Sequence, residues 1–200
     1  MQKNTVHKLT EYLKGREKKH IIVDFDETLG LIHASWDVWK KELRARLKKI
    51  DEELIAKYEN GSTILLLNDF VTRYGSRARN IILPCIDYYE SNFIEKISIN
   101  DELVYFIKET HSQYNFYIWS SNMGNTIRKF LKANRLSQLF KKIVSRDKVM
   151  FTKPYPEGFS HIFCSDKHKH KDFLLVGDSL FDEMAARSVG IDFYKLKFSG

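Results

Sequence analysis

The sequence predicts an α/β fold: a parallel sheet whose strands alternate with helices, interrupted once by a long helical insertion. Three observations carry this. Apolar, β-branched or aromatic runs at residues 21–23, 115–119 and 173–176 read as buried strands, and each gives way to small polar or acidic residues. Helix-period segments separate the later strands, the pattern of parallel strands joined by right-handed crossovers. Residues 31–97 show helical periodicity but no convincing strand.

The elements follow in order. Val6, Leu9, Tyr12 and Leu13 recur at helical spacing over residues 3–14, with Gly15 as the stop. After the first strand, Trp36, Trp39, Leu43, Leu47, Ile50 and Leu54 form the apolar stripe of one amphipathic helix. Gly61-Ser62 ends it, a second helix runs over 64–74 to Gly75, and Pro84 interrupts a third segment that resumes over 86–97. The aromatic stripe of this insertion is read as packing. Asn100 or Asp101 caps a helix over 102–111, a helix over 125–132 follows the second strand, and Ile143-Val144 is a short apolar step. Residues 181–188 form the last helix before Gly190, and 193–196 a final short strand.

The totals fit a globular chain of one domain, or a core with a modest insertion. Of 200 residues, 43% are apolar and 14% aromatic, ample for a buried core. Cys85 and Cys164 lack paired spacing, which excludes a disulfide framework or zinc ribbon and fits a reducing, intracellular setting. Residues 1–20 are polar and lysine-rich, and no apolar run is long enough to span a membrane, so a soluble cytoplasmic protein is expected. The net charge of +7 favours anionic partners without choosing among them.

The chemistry gathers at the strand ends. Asp24 and Asp26 are spaced by one residue where the first strand runs out, so both point to one side. Two such carboxylates repel and are costly to desolvate, and a cation resolves the conflict. Ser120-Ser121-Asn122 follows the second strong strand and Asp178 the third, with Asp182 four residues on. In a parallel sheet these ends share one edge, where ligands bind. Several carboxylates without histidines describe an oxygen-ligated divalent ion, Mg²⁺, and disfavour zinc. Lys153, in Thr152-Lys153-Pro154-Tyr155-Pro156, starts from a stiff extended loop. A lysine with serine hydroxyls and loop amides near Mg²⁺ makes a phosphate site.

These residues resemble, in order and kind, the motifs of the haloacid dehalogenase superfamily of phosphohydrolases. Asp24-Phe25-Asp26-Glu27-Thr28-Leu29 is similar to the first motif, Ser120 to the second, Lys153 in Lys-Pro-x-Pro to the third, and Gly177-Asp178-Ser179-x-x-Asp182 to the fourth. The run over 140–147 looks like that of the capped members, and the resemblance covers about residues 24–190. It implies a Rossmann-like core, residues 1–30 and 98–200, with an all-helical cap, residues 31–97, inserted after the first motif. It implies an Mg²⁺-dependent phosphatase acting on a small phosphorylated metabolite. Asp24 would be the nucleophile that forms an aspartyl-phosphate and Asp26 the general acid and base. Ser120 and Lys153 would hold the phosphoryl group, with Ser121 as the alternative serine and Asn122 donating an amide. Asp24, the carbonyl of Asp26 and Asp178 would bind Mg²⁺, with Asp182 supporting from behind. Glu27 departs from the glycine often found there.

A phosphomutase would use the same groups, and the basic charge keeps a nucleotide or nucleic-acid end phosphatase as an alternative. A nucleic-acid-binding module is disfavoured, because no zinc-finger spacing, Gly-rich clamp or aromatic RNA-binding signature occurs. Dehalogenation would leave Asp26 and the metal carboxylates superfluous. His33 and Trp36 are read as packing or exposed residues, Arg73, Arg77 and Arg79 as a solvated face, and His161, His168 and His170 match no metal-site spacing.

Overall fold

The computed structural model describes residues 6–163 and 169–198. The ends of the chain, Cys164 and His168 therefore lie outside the described residues. Five parallel strands form the core sheet: β1 (His20–Val23), β4 (Asn115–Trp119), β5 (Phe140–Val144), β6 (Phe173–Gly177) and β7 (Asp192–Lys195), in the order β5-β4-β1-β6-β7. β1 is central and wholly buried, and it is apolar from Ile21 to Val23. Ile21 and Val23 pack on one face with α1 (Val6–Leu13), α5 (Asp101–Thr110) and α6 (Gly124–Ala133). Ile22 packs on the other with α7 (Glu157–Ile162) and α8 (Leu180–Ser188). This is a Rossmann-like α/β sandwich.

The chain builds outward through β4 and β5, then crosses to the other side of β1 for β6 and β7. The order reverses between β1 and β6, the switch point where open sheets leave a ligand crevice. Register aligns Val23 with Ile118 and with Val176, so Asp24, Ser120 and Asp178 leave one edge at nearly the same height.

The insertion has its own core, built from α2 (Trp36–Lys48), α3 (Glu52–Lys57) and α4 (Thr63–Asn92). Three local features differ from expectation. The single helix through Leu54 breaks at Asp51, whose Oδ1 caps α3 by accepting the Leu54 N–H at 2.8 Å. α4 kinks at Gly75, where φ is +51, but runs on through Pro84. Pro84 and Asn80 are exposed, so water can satisfy the carbonyl the proline leaves unpaired. The insertion also enters and leaves through an antiparallel ribbon, β2 (Gly30–Ala34) with β3 (Ile94–Ile99), which supplies the strands that periodicity did not reveal. Asn100 ties the exit strand to the core: its N–H donates to Leu29 O, its amide to Thr28 O, and its Oδ1 caps α5. Among the described residues no helix is long and apolar enough to cross a membrane.

Candidate active site

Beyond β1 the backbone turns sharply. Phe25 O accepts the N–H groups of Leu29 and Gly30 at 3.0 and 2.9 Å, while the Phe25 ring is buried against Phe130. Asp24 and Asp26 consequently both line one cavity of about 290 Å³. Asp24 is anchored by its N–H to Val176 O at 2.9 Å, and Asp26 Oδ1 accepts the Ile32 N–H of the ribbon at 2.9 Å. Asp26 is thereby held by the strand that leads into the insertion.

Glu27 takes φ +58, the left-handed conformation in which glycine is at ease. Its side chain is exposed at the cavity and its charge contributes to raising both Asp26 and Asp178. Glu27→Gly removes the backbone penalty, about 1–2 kcal/mol, and the extra unfolded-state entropy of glycine returns part of it. A net gain of up to about 1 kcal/mol is expected, read as a Tm increase of a few degrees; a fall in Tm would contradict it.

Lys153 is buried behind Asp24. Its Nζ pairs with Asp24 Oδ1 at 2.6 Å and with Asp182 Oδ1. The Lys153–Pro154 peptide is cis. Asp182 is fully buried, and its other oxygen accepts the Ser179 N–H in a capping box that starts α8. A Cβ at Gly177 would lie 2.6 Å from Asp182 Cγ, so glycine is required for this close approach. Asp24, Asp178 and Asp182 bring carboxylate oxygens within 4.8 Å of one another. Since both Asp182 oxygens are engaged, Asp24 and Asp178 are the carboxylates left to face a cation.

Ser120, Ser121 and Asn122 also line the cavity. The Ser120 hydroxyl donates to Asn122 Oδ1 at 2.9 Å and accepts the Asn122 N–H at 3.2 Å, a turn that fixes the loop. Glu90, from α4, is buried against it. The Met123 N–H donates to Glu90 Oε2 at 3.1 Å, which caps α6 from outside because Met123 supplies no side-chain cap. Asn68, also on α4, exchanges hydrogen bonds with Thr152, accepting its N–H at 3.1 Å and donating to its carbonyl at 3.2 Å. The insertion thus grips both loops that carry site residues.

Several residues were not anticipated by the sequence. Trp39, Lys40, Leu67, Ile86, Glu90 and Arg146 line the cavity, as does Trp36, for which the sequence pattern favours packing or exposure. His33 instead bonds Ser98 across the ribbon at 2.9 Å. Arg73 pairs with Asp51, and Arg79 donates to the carbonyls of Val149 and Asp147, so Arg79 is a clamp of the insertion, not part of a solvated face. His161 sits 3.9 Å from Glu157, and His170 bonds Val189 O.

The carboxylates are poised for proton and metal chemistry. Burial pushes Asp24 up to about 7 against the pull of Lys153. Burial likewise takes Asp26 up to about 7, partly offset by the Ile32 N–H. Asp178 rises to about 6 through burial and the charges of Asp182 and Glu27. Burial draws Lys153 down, but Asp182 and Asp24 together hold it above its ordinary value. A group whose folded pKa exceeds its unfolded value makes the folded state bind more protons between the two, so stability falls as pH rises through that window. The protein without metal is therefore expected to melt lower at about pH 8 than at about pH 5. Asp51, Asp147 and Asp172 lie below the usual range and lose their contribution only in stronger acid. A Tm that ignores pH across this interval would refute the assignment.

Acids and a buried lysine at the switch point of a parallel sheet define a hydrolase-type site in an open α/β enzyme. The family model for haloacid dehalogenase-like hydrolases matches residues 21–196, and the chain belongs to that family. No curated protein matches it. Among solved structures it is similar to a predicted phosphoglycolate phosphatase of Haemophilus somnus, with 20% identity over 92% of this chain and 88% of that one and a TM-score of 0.61. It is also similar to a subfamily IA hydrolase of this superfamily from Geobacter sulfurreducens, at 15% identity, 90% and 88% coverage and a TM-score of 0.55. A protein of Bacillus subtilis, described as a hydrolase of the same superfamily and solved bound to magnesium, gives 19%, 88% and 85%, and 0.54. At these identities the likeness is one of fold.

Proposed function

We propose that this protein is an Mg²⁺-dependent phosphatase that hydrolyses a small phosphomonoester through an aspartyl-phosphate. The observation that carries the reading is Asp24: a buried carboxylate at the switch point, paired by one oxygen to Lys153 and lining the same cavity as Asp26, Ser120 and Asp178. Asp24 attacks phosphorus as the bond to the leaving oxygen breaks. Asp26, near neutrality in pKa, gives its proton to that oxygen. The resulting Asp26 carboxylate then takes a proton from the water that attacks the phosphorus, which frees phosphate and restores Asp24. Lys153 and the hydroxyls and amides of Ser120, Ser121 and Asn122 hold the phosphoryl oxygens.

An oxygen-only donor set fits Mg²⁺, since burial keeps Asp24 and Asp178 above the usual range until a cation compensates them. Asp24, the main-chain carbonyl of Asp26 and Asp178 would hold it, and Asp182 would position Lys153. When bound, Mg²⁺ supplies charge stabilisation to the phosphoryl group. The magnesium in the Bacillus subtilis structure and the description of the Haemophilus somnus protein support this reading. Residues 31–97 act as the cap: their side chains close the cavity, which at about 290 Å³ suits a small substrate. The test is phosphate release from sugar phosphates, nucleotides and small organic phosphates with Mg²⁺. Release that stops on chelation is expected; none from any ester, or release indifferent to chelation, sinks the reading.

A further inference from the structure

Arg146 follows β5 and is only 7% exposed, yet it lines the cavity. Its Nε donates to Ser121 O at 2.7 Å and its N–H to Asn122 O at 3.0 Å, which locks its place beside the serine loop. Its terminal Nη groups donate to nothing among the described residues, and no carboxylate there lies within ion-pair distance. Burial lowers it only to about 10, so it remains a cation at neutral pH. Glu90 is a nearby opposite charge, but its oxygens are taken by the Met123 N–H and the Asn122 amide, and the Arg79 charge opposes its effect. These Nη groups are not among the polar atoms closed off from solvent, so they meet the cavity, where water or a ligand that displaces it supplies the acceptor. A cationic donor edge on the wall of the cavity asks for acceptor oxygens that carry negative charge.

We propose that Arg146 forms an anion subsite that reads a second acidic group, carboxylate or phosphate, on the leaving portion of the substrate. Arg146 is then the specificity-determining residue, and the substrate class is a phosphomonoester bearing a second anion. This rests on the phosphatase reading, in which Lys153, the serine loop and the metal carboxylates already serve the transferring phosphoryl group.

The test uses three matched esters: 2-phosphoglycolate, ethane-1,2-diol bisphosphate and 2-hydroxyethyl phosphate, which differ only in the second group. Wild-type protein is expected to prefer at least one acidic ester over the hydroxyethyl ester by about 30-fold in kcat/KM, the scale of one charge-assisted contact. Arg146→Met should collapse that ratio to about 3-fold or less, and Arg146→Lys should keep part of it. Because the readout is a ratio, partial unfolding of a variant cancels. Which acidic ester leads tells carboxylate from phosphate. Absence of preference in wild-type protein, or an unchanged ratio in Arg146→Met, overturns the subsite while leaving the phosphatase standing. Calorimetric binding of the same esters to Asp24→Asn protein gives a second arm that needs no turnover. Binding of the acidic esters that Arg146→Met weakens about 10-fold or more supports the subsite even where no ester is hydrolysed, the result that would instead end the phosphatase reading.

Discussion

Asp24→Asn is expected to lower kcat by about 10⁴-fold or more, because the substitution keeps the shape of the side chain and replaces the carboxylate of the proposed nucleophile with a poorly nucleophilic amide. The fold should survive. Lys153 retains Asp182 as a partner, and the change removes a carboxylate that burial already holds near neutrality. Wild-type protein quenched in acid during turnover should retain phosphate covalently at Asp24, and the variant should retain none. Asp26→Asn would share the loss of turnover without sharing the loss of the covalent species, since in the proposed mechanism Asp26 moves protons and forms no bond to phosphorus. Residual turnover in Asp24→Asn above about 1% of wild type would place the nucleophile elsewhere.

The core was legible because its strands are buried on both faces. Residues 20–23, 115–119 and 173–177 have no polar side of their own, and their apolar runs stop abruptly where the sheet edge begins. The ribbon was not legible. β3 is half-exposed along most of its length and alternates poorly, so it reads as a continuation of the preceding helix. The apolar stripe through Trp36 and Leu54 stays in helical phase across Asp51, which hid a break that depends on where the Asp51 side chain turns. α7, six residues long and without a side-chain cap, leaves almost no periodic signal.

The acids of the site were legible for a related reason: a carboxylate at the end of an apolar strand has few structural uses. Glu27 departs from the glycine often found at that point of the motif, and the structure places it in a left-handed conformation to which glycine is better suited. Arg146 lay inside the run over 140–147, where the sequence pattern offers no reason to single out its side chain. Glu90 and Trp39 lie in an amphipathic pattern that predicts burial and says nothing of what they face. Their significance arises only when the insertion folds over the sheet edge, and that juxtaposition depends on the ribbon and on Asn68, Arg79 and Glu90 gripping the loops below.

Lys153→Met carries the largest expected effect on stability. The Lys153 ammonium is 3% exposed and is the shared counterion of two buried carboxylates, one from β1 and one from α8. Its removal leaves those charges uncompensated, a loss on the order of 3–5 kcal/mol in metal-free protein. The variant can escape part of the cost by keeping a proton on Asp24, so the loss should be greatest near about pH 8 and should shrink toward about pH 5. The sign follows from proton binding: without Lys153 the folded carboxylate is pushed further above its unfolded value, and raising the pH then favours the unfolded chain. Mg²⁺ should restore some of the stability, since a second cation beside Asp24 and Asp178 takes over part of the compensation. Turnover should not return with it, because the proposed mechanism also uses Lys153 to hold the phosphoryl oxygens. Urea unfolding in chelator at the two pH values measures the first effect, and repeating it with Mg²⁺ measures the second. A loss under about 1 kcal/mol near pH 8 would mean that Lys153 is not the charge on which the carboxylates depend.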